Sequence, residues 1–123
     1  KPTASPTGCP EYGVSKLANV LFARELSRRT KPSILSFSLH PGVVATEVWR
    51  EVPWGVRHVM KLFMLTNEEG AKTTLFCATS DDVKDKSGRY FDKSKEKKAN
   101  PLVEGPLAAE LWERTAAWTG LEP

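Results

Sequence analysis

The chain has 123 residues, of which 40% are hydrophobic and 27% charged, and a formal net charge of +3. That length suits one domain burying about two-thirds of its unfolded surface, with the composition of an ordinary globular protein. The charge is mild and its basic residues do not gather on one groove-tracking face, which argues against a nucleic-acid binder; no apolar run reaches the length of a membrane span.

Residues Lys1 to Pro10 hold three prolines and a glycine among small polar residues and read as loop; 11–123 form the domain proper. There is neither an initiating Met nor the apolar core of a signal peptide, so the chain reads as the later part of a longer one, whose front half can carry an anchor. Cys9 and Cys77 lie far apart and have no CxxC companion. That is too few for a disulfide framework or a zinc site, and no metal is expected. Two reduced thiols, with Cys77 packed as a small hydrophobe in a helix, fit an intracellular setting, in the cytoplasm or on a membrane surface facing the cytosol.

From Glu11 to Arg29 the pattern is helical, with Val14, Leu17, Ala18, Leu21, Phe22 and Leu26 forming one apolar face; Lys31-Pro32 closes it. Ile34 to Leu39 reads as a strand buried on both faces of a parallel sheet, ending at His40-Pro41-Gly42. Thr46 to Leu65 suggests one or two short amphipathic helices. Thr66-Asn67-Glu68-Glu69 is a strong helix start, for a helix that runs to Thr79 and buries Ala71, Thr74, Leu75 and Ala78. Ser87 to Phe91 is a turn into a short strand, Lys93 to Lys98 a charged loop, and Pro106 to Trp118 a last helix ended by Gly120. Helix, buried strand, helix, strand, helix is half of an α/β sandwich. The remaining strands are expected from sequence ahead of Lys1.

Tyr12 and Lys16 stand at i and i+4 and so share one helix face. An ammonium about 4 Å from a phenol, at an effective dielectric near 20, favours the phenolate by up to roughly 4 kcal/mol, less what desolvation of both groups takes back. Such a pair suits general acid–base work. On its own Tyr-x-x-x-Lys is a weak signal, because a packed tyrosine and a solvated lysine often share this spacing.

The surroundings are more specific. Tyr12-Gly13-Val14-Ser15-Lys16-Leu17-Ala18-Asn19 resembles the active-site helix of short-chain dehydrogenases. His40-Pro41-Gly42-Val43-Val44-Ala45-Thr46, at the end of the next strand, resembles the Pro-Gly segment which that family places beneath the nicotinamide. Thr66 to Ala71, the helix through Cys77-Ala78, Ser87 to Phe91 and Leu111-Trp112 extend the resemblance to the retinol-dehydrogenase-like branch.

The resemblance implies the C-terminal part of a Rossmann-like, doubly wound parallel sheet lacking the N-terminal dinucleotide-binding strands. It also implies an oxidoreductase that interconverts an alcohol and a carbonyl with NADP or NAD. Tyr12 would exchange the proton and, with Lys16, contact the cofactor; Lys16 would ease loss of that proton and hold the nicotinamide ribose. Pro41 and Gly42 would shape the turn below the nicotinamide, while Val44 and Thr46 would hold its carboxamide and a nearby phosphate. The cofactor supplies the redox chemistry, and the protein orients it. The family's Gly-rich fingerprint has no counterpart in these residues. Its catalytic serine would fall ahead of the tyrosine helix, and Ser5, between Ala4 and Pro6, is not assigned to that role. The segment by itself is therefore expected to be inactive.

His40 is read as supporting the turn rather than as a base, and His58, between Arg57 and Lys61, as an exposed helix residue. Val52 to Leu65, with Trp54, Val56, Val59, Met60, Phe63 and Met64, is read as core plus a lid over an apolar substrate. Its Arg50, Arg57 and Lys61 permit membrane-surface contact. Lys93 to Lys98 is a solvated loop rather than a phosphate site. Trp112 and Trp118 are expected to pack on the sheet or a partner subunit, and the Tyr12–Arg29 helix, through Leu17, Leu21 and Phe22, to form a homodimer. One alternative is a non-catalytic truncated interaction module of this fold. A nucleotide-sugar epimerase or dehydratase fits less well, given the Pro-Gly-x-x-x-Thr segment and the short C-terminal region.

Overall fold

The computed structural model describes residues 9–44 and 64–121. They form a small α/β domain: α1 (Cys9–Thr30), β1 (Ser38–His40), α2 (Asn67–Thr79), β2 (Tyr90–Asp92), β3 (Lys95–Lys97) and α3 (Leu107–Thr119), with 3-10 turns at Asp81–Val83 and Pro101–Glu104. The sheet is mixed, in the order β1-β2-β3. β1 and β2 run parallel, with Ser38 opposite Tyr90 and His40 opposite Asp92, and α2 lies between them in the chain, as a parallel crossover requires. β3 returns antiparallel on β2. The expected charged loop at Lys93–Lys98 is thus a hairpin instead. Its tip residues, Lys93 and Ser94, both have positive φ, 51° and 58°, the left-handed pair that matches strand twist in a two-residue turn. The expectation missed it because lysine and serine are not the usual residues there.

β1 is shorter than the Ile34–Leu39 expected and its side chains are only half-buried, apart from the exposed His40. Ile34 and Leu35 precede it, 52% and 41% exposed. Two apolar clusters hold the domain. Cys77, Val83 and Phe91, with Phe37, Leu39 and Phe76, lie between α2 and the sheet. Leu21, Val103 and Ala108, with Leu17, Val20, Ala99 and Leu111, lie where α3 and the Pro101–Glu104 turn meet α1.

α1 starts at Cys9, two residues before the expected Glu11. Its buried residues are Leu21, Ala23, Glu25 and Ser27, whereas Val14 is 68% exposed. No single stripe describes this burial, because the sheet packs one side of the helix and α3 another. Glu25 can be buried because Arg29 Nε, at 2.9 Å, and Arg28 both pair with it. Trp112 of α3 stacks on Phe22 with ring centroids 5.3 Å apart and carries the Arg29 guanidinium over its ring. It therefore packs on α1 and not on the sheet, while Trp118 is exposed.

α2 carries the expected cap as a full capping box: the Glu69 N–H donates to Thr66 Oγ1, and the Thr66 N–H donates to the Glu69 carboxylate. Its buried stripe, however, is Gly70, Thr73 and Cys77, with Leu75 exposed. Small residues won these places: Gly70 lies against Val44, and Thr73 Oγ1 accepts the Ser94 N–H. α3 ends as expected at Gly120, with φ 69°.

Candidate functional site

Because α1 begins at Cys9, Tyr12 and Lys16 occupy its first turns, at the end of the helix nearest the turn that follows β1. Both side chains are exposed. Lys16 Nζ lies 5.1 Å from the centroid of the Tyr12 ring, an ammonium over an aromatic face, held by the ring quadrupole. The Ser15 hydroxyl donates to the Tyr12 carbonyl at 2.7 Å, which spends it on the helix backbone.

β1 ends at His40, and Pro41-Gly42 turns the chain away. Gly42 has φ 84°, and a Cβ there would run into the Leu65 side chain. Glycine satisfies both conditions at once. Val44 then bridges to Leu65 in parallel register. The residues picked out from the sequence thus converge: Tyr12 and Lys16 share a cleft of about 700 Å³ with His40, Pro41 and Gly42. Val44 sits beyond the turn, against Gly70. Thr46 lies outside the described residues, as do Ser5, His58 and the expected lid up to Phe63.

The cleft also has walls that sequence reasoning did not foresee. Asn19, Tyr90, Lys98 and Asn100 line it. Tyr90 is there because β2 pairs in parallel with β1 and Phe91 points into the α2 cluster; strand alternation sends Tyr90 to the other face. Burial first, and then the Asp92 carboxylate, push the Tyr90 phenol above its ordinary range. Phe37, Ser38, Leu39 and His40 line the cleft consecutively, so β1 forms one of its walls. A second cavity of about 250 Å³, lined by Glu69, Lys72, Thr73 and Lys93 among others, lies across the His40–Gly42 turn.

Cys77 is a free, buried thiol whose burial pushes it above the ordinary thiol range. Among the described residues no group of three His, Cys, Asp or Glu side chains could hold a metal ion. No described helix is long and apolar enough to cross a membrane.

No protein-family model matches the chain. Individual relatives do. Human retinol dehydrogenase 14 is 38% identical over 118 residues, spanning 89% of this chain and 35% of that protein. Dehydrogenase/reductase SDR family member 13 of Bos taurus is 36% identical over 119 residues, 91% of this chain and 32% of that protein. The short chain dehydrogenase/reductase dpmpH of Macrophomina phaseolina is 41% identical over 114 residues, 85% of this chain and 56% of that protein. The chain belongs to the short-chain dehydrogenase/reductase superfamily. Within it the likeness is to the retinol-dehydrogenase-like branch, and the chain spans about a third of the length of the retinol dehydrogenases it matches.

Proposed function

We propose that these residues are the proton-transfer half of an NAD(P)-dependent oxidoreductase that interconverts an apolar alcohol and its carbonyl compound. The observation that carries the reading is the convergence of Tyr12, Lys16 and the Pro41-Gly42 turn on one cleft, although a helix and a strand separate them in sequence.

The residues present fit the nicotinamide end of the cofactor. The cleft is large enough for a flat ring beside the Pro41-Gly42 turn, and the Lys16 ammonium and Tyr12 hydroxyl are donors suited to ribose hydroxyls. When bound, the nicotinamide supplies the hydride. Tyr12 gives its phenolic proton to the carbonyl oxygen in reduction and takes it back from the alcohol in oxidation, with Lys16 stabilising the phenolate. Pro41 and Gly42 would shape the floor, while Val44, and Thr46 outside the described residues, would hold the carboxamide and phosphate side. Leu17, Val20, Phe37 and Leu39 make much of the cleft apolar, which supports a greasy substrate.

The parallel β1–β2 pair with its crossover helix supports the doubly wound reading, with further strands of a longer parent added at β1. The sequence holds no Gly-rich turn of the kind that seats a pyrophosphate, so on this reading the 123 residues alone turn over no substrate. In the full-length parent, Tyr12→Phe should lower carbonyl reduction by at least about a hundredfold, the lower end of what a general acid contributes. Absorbance of the reduced nicotinamide follows the reaction, and unchanged turnover would overturn the assignment.

A further inference from the structure

The formal charge of the chain is unevenly placed. Of its 18 basic and 15 acidic residues, four lysines and one glutamate fall in Lys93–Lys98, a net charge of +3 in six residues. The other 117 residues hold 14 of each sign, so the whole excess lies on this one segment. In the fold it is the tip and second strand of the β2–β3 hairpin. Register sets Glu96 opposite Phe91, on the face turned to α2, where Arg89 Nε lies 3.6 Å from its carboxylate. Lys95 and Lys97 stand opposite Asp92 and Tyr90, on the other face. Lys93 is at the tip, and Lys98 follows the strand. All four lysines are exposed, and among the described residues none of them is in an ion pair. Lys72 of α2 lines a cavity with Lys93 and adds a fifth cation, while Glu69 beside it is spent on the helix cap. The Ser94 N–H, donated to Thr73 Oγ1 at 3.2 Å, holds the tip against α2.

We propose that the β2–β3 hairpin docks on an anionic lipid surface. The charge is spread over the hairpin rather than converged on one point. The adjoining cavity of about 540 Å³ sets Glu96 and Glu104 in its wall beside Arg89, Lys97 and Lys98, a poor seat for one small anion. No aromatic residue stands among Lys93 to Lys98 on which a base could stack, which argues against nucleic acid. A lipid surface needs no matching shape, only basic side chains within a Debye length of it. Leu102, four residues past Lys98, is 53% exposed, and an apolar side chain following a basic cluster suits the boundary between headgroups and acyl chains. β3 is the edge of the sheet away from β1, where the proposed reading adds the parent's strands. Ammonium groups are almost never buried without acids to pair them, so those strands leave this patch to solvent or lipid. The proposal uses only the hairpin and is independent of the oxidoreductase reading.

Co-sedimentation of the 123-residue chain with lipid vesicles tests it. The chain should bind vesicles that are about one-third phosphatidylserine in phosphatidylcholine, ignore pure phosphatidylcholine, and come off in about 0.5 M salt. Each lysine near such a surface is worth about fivefold in affinity. Lys95→Gln with Lys97→Gln should therefore weaken binding at least about tenfold, and so should Lys93→Gln with Lys98→Gln, with circular dichroism confirming the fold. Lys84→Gln, which removes an exposed ammonium paired with Asp81, should change binding less than about twofold. No binding to the charged vesicles, or binding that both hairpin pairs leave unchanged, would overturn the proposal and leave the lysines as guards of the β3 edge. Equal binding to pure phosphatidylcholine would also overturn it, as an apolar contact. So would loss of binding with Arg57→Gln and Lys61→Gln in place of the hairpin pairs, which would assign the contact to that segment. Tighter binding to a polyglutamate peptide than to the vesicles would assign the hairpin to an acidic protein instead.

Discussion

Ser27, Ser87 and Gly88 show how little room the join between α1 and β2 leaves. The Ser27 hydroxyl donates to Ser87 Oγ at 2.8 Å, and that oxygen also accepts the Ser36 N–H at 3.0 Å. One buried serine thus ties α1 to the approaches of both parallel strands. Gly88 beside it has φ 83°, and a Cβ there would lie 3.0 Å from Ser27 Oγ and 3.1 Å from Arg24 Nη1. Alanine at this position meets a left-handed backbone cost and a crowded neighbour together. Gly88→Ala should therefore destabilise the domain by about 2 kcal/mol, read as a lower urea midpoint with an unchanged slope. The sequence marked Ser87 only as the start of a turn, and marked Ser27 not at all. Their importance depends on three segments meeting, and a single serine carries no periodicity.

At the scale of elements, the chain announces its helix ends better than its helix faces. Thr66 and Glu69 make their capping box through local bonds alone, so the four residues were sufficient to find it. Thr66→Ala should cost about 1 kcal/mol, seen as a fall in thermal midpoint with the same folded-state spectrum. Which side of α2 is buried is a different matter, decided by Val44 and the hairpin at Ser94, both distant in sequence. Hydrophobicity pointed to Leu75, yet close approach to the sheet selected Gly70 and Thr73. Glu25 stands outside the apolar face that the spacing marks, yet it is buried, because the two arginines that follow it pair with it. The hairpin was hidden by its own tip, where lysine and serine stand in a conformation that usually signals itself through glycine or asparagine.

For the whole molecule, the legible part of the site was the part that local spacing encodes. Tyr12 and Lys16 lie one helical turn apart, and Pro41-Gly42 follows the next strand. Their meeting in one cleft followed from resemblance and is now a matter of geometry. Tyr90, Lys98 and Asn100 were illegible because the strand order that brings them there is not written in any one segment. On the proposed reading, the described residues of the cleft offer donors suited to a ribose, and the sequence holds no Gly-rich turn to seat a pyrophosphate. Calorimetric titration of the 123-residue chain with NADP or NAD should accordingly give no binding heat at millimolar cofactor. A micromolar isotherm would show that these residues suffice, contrary to the division of labour proposed above.

The contact between α1 and α3 joins the first described helix to the last, and this bears on how the chain is made. Synthesis runs from the N-terminus, so the helix bearing Tyr12 and Lys16 is made before Val103 and Ala108, which bury its Leu21. Until then Leu21 lacks that cover. The helix that carries Tyr12 and Lys16 is fully packed only when α3 has docked, so damage to α3 would be felt at α1.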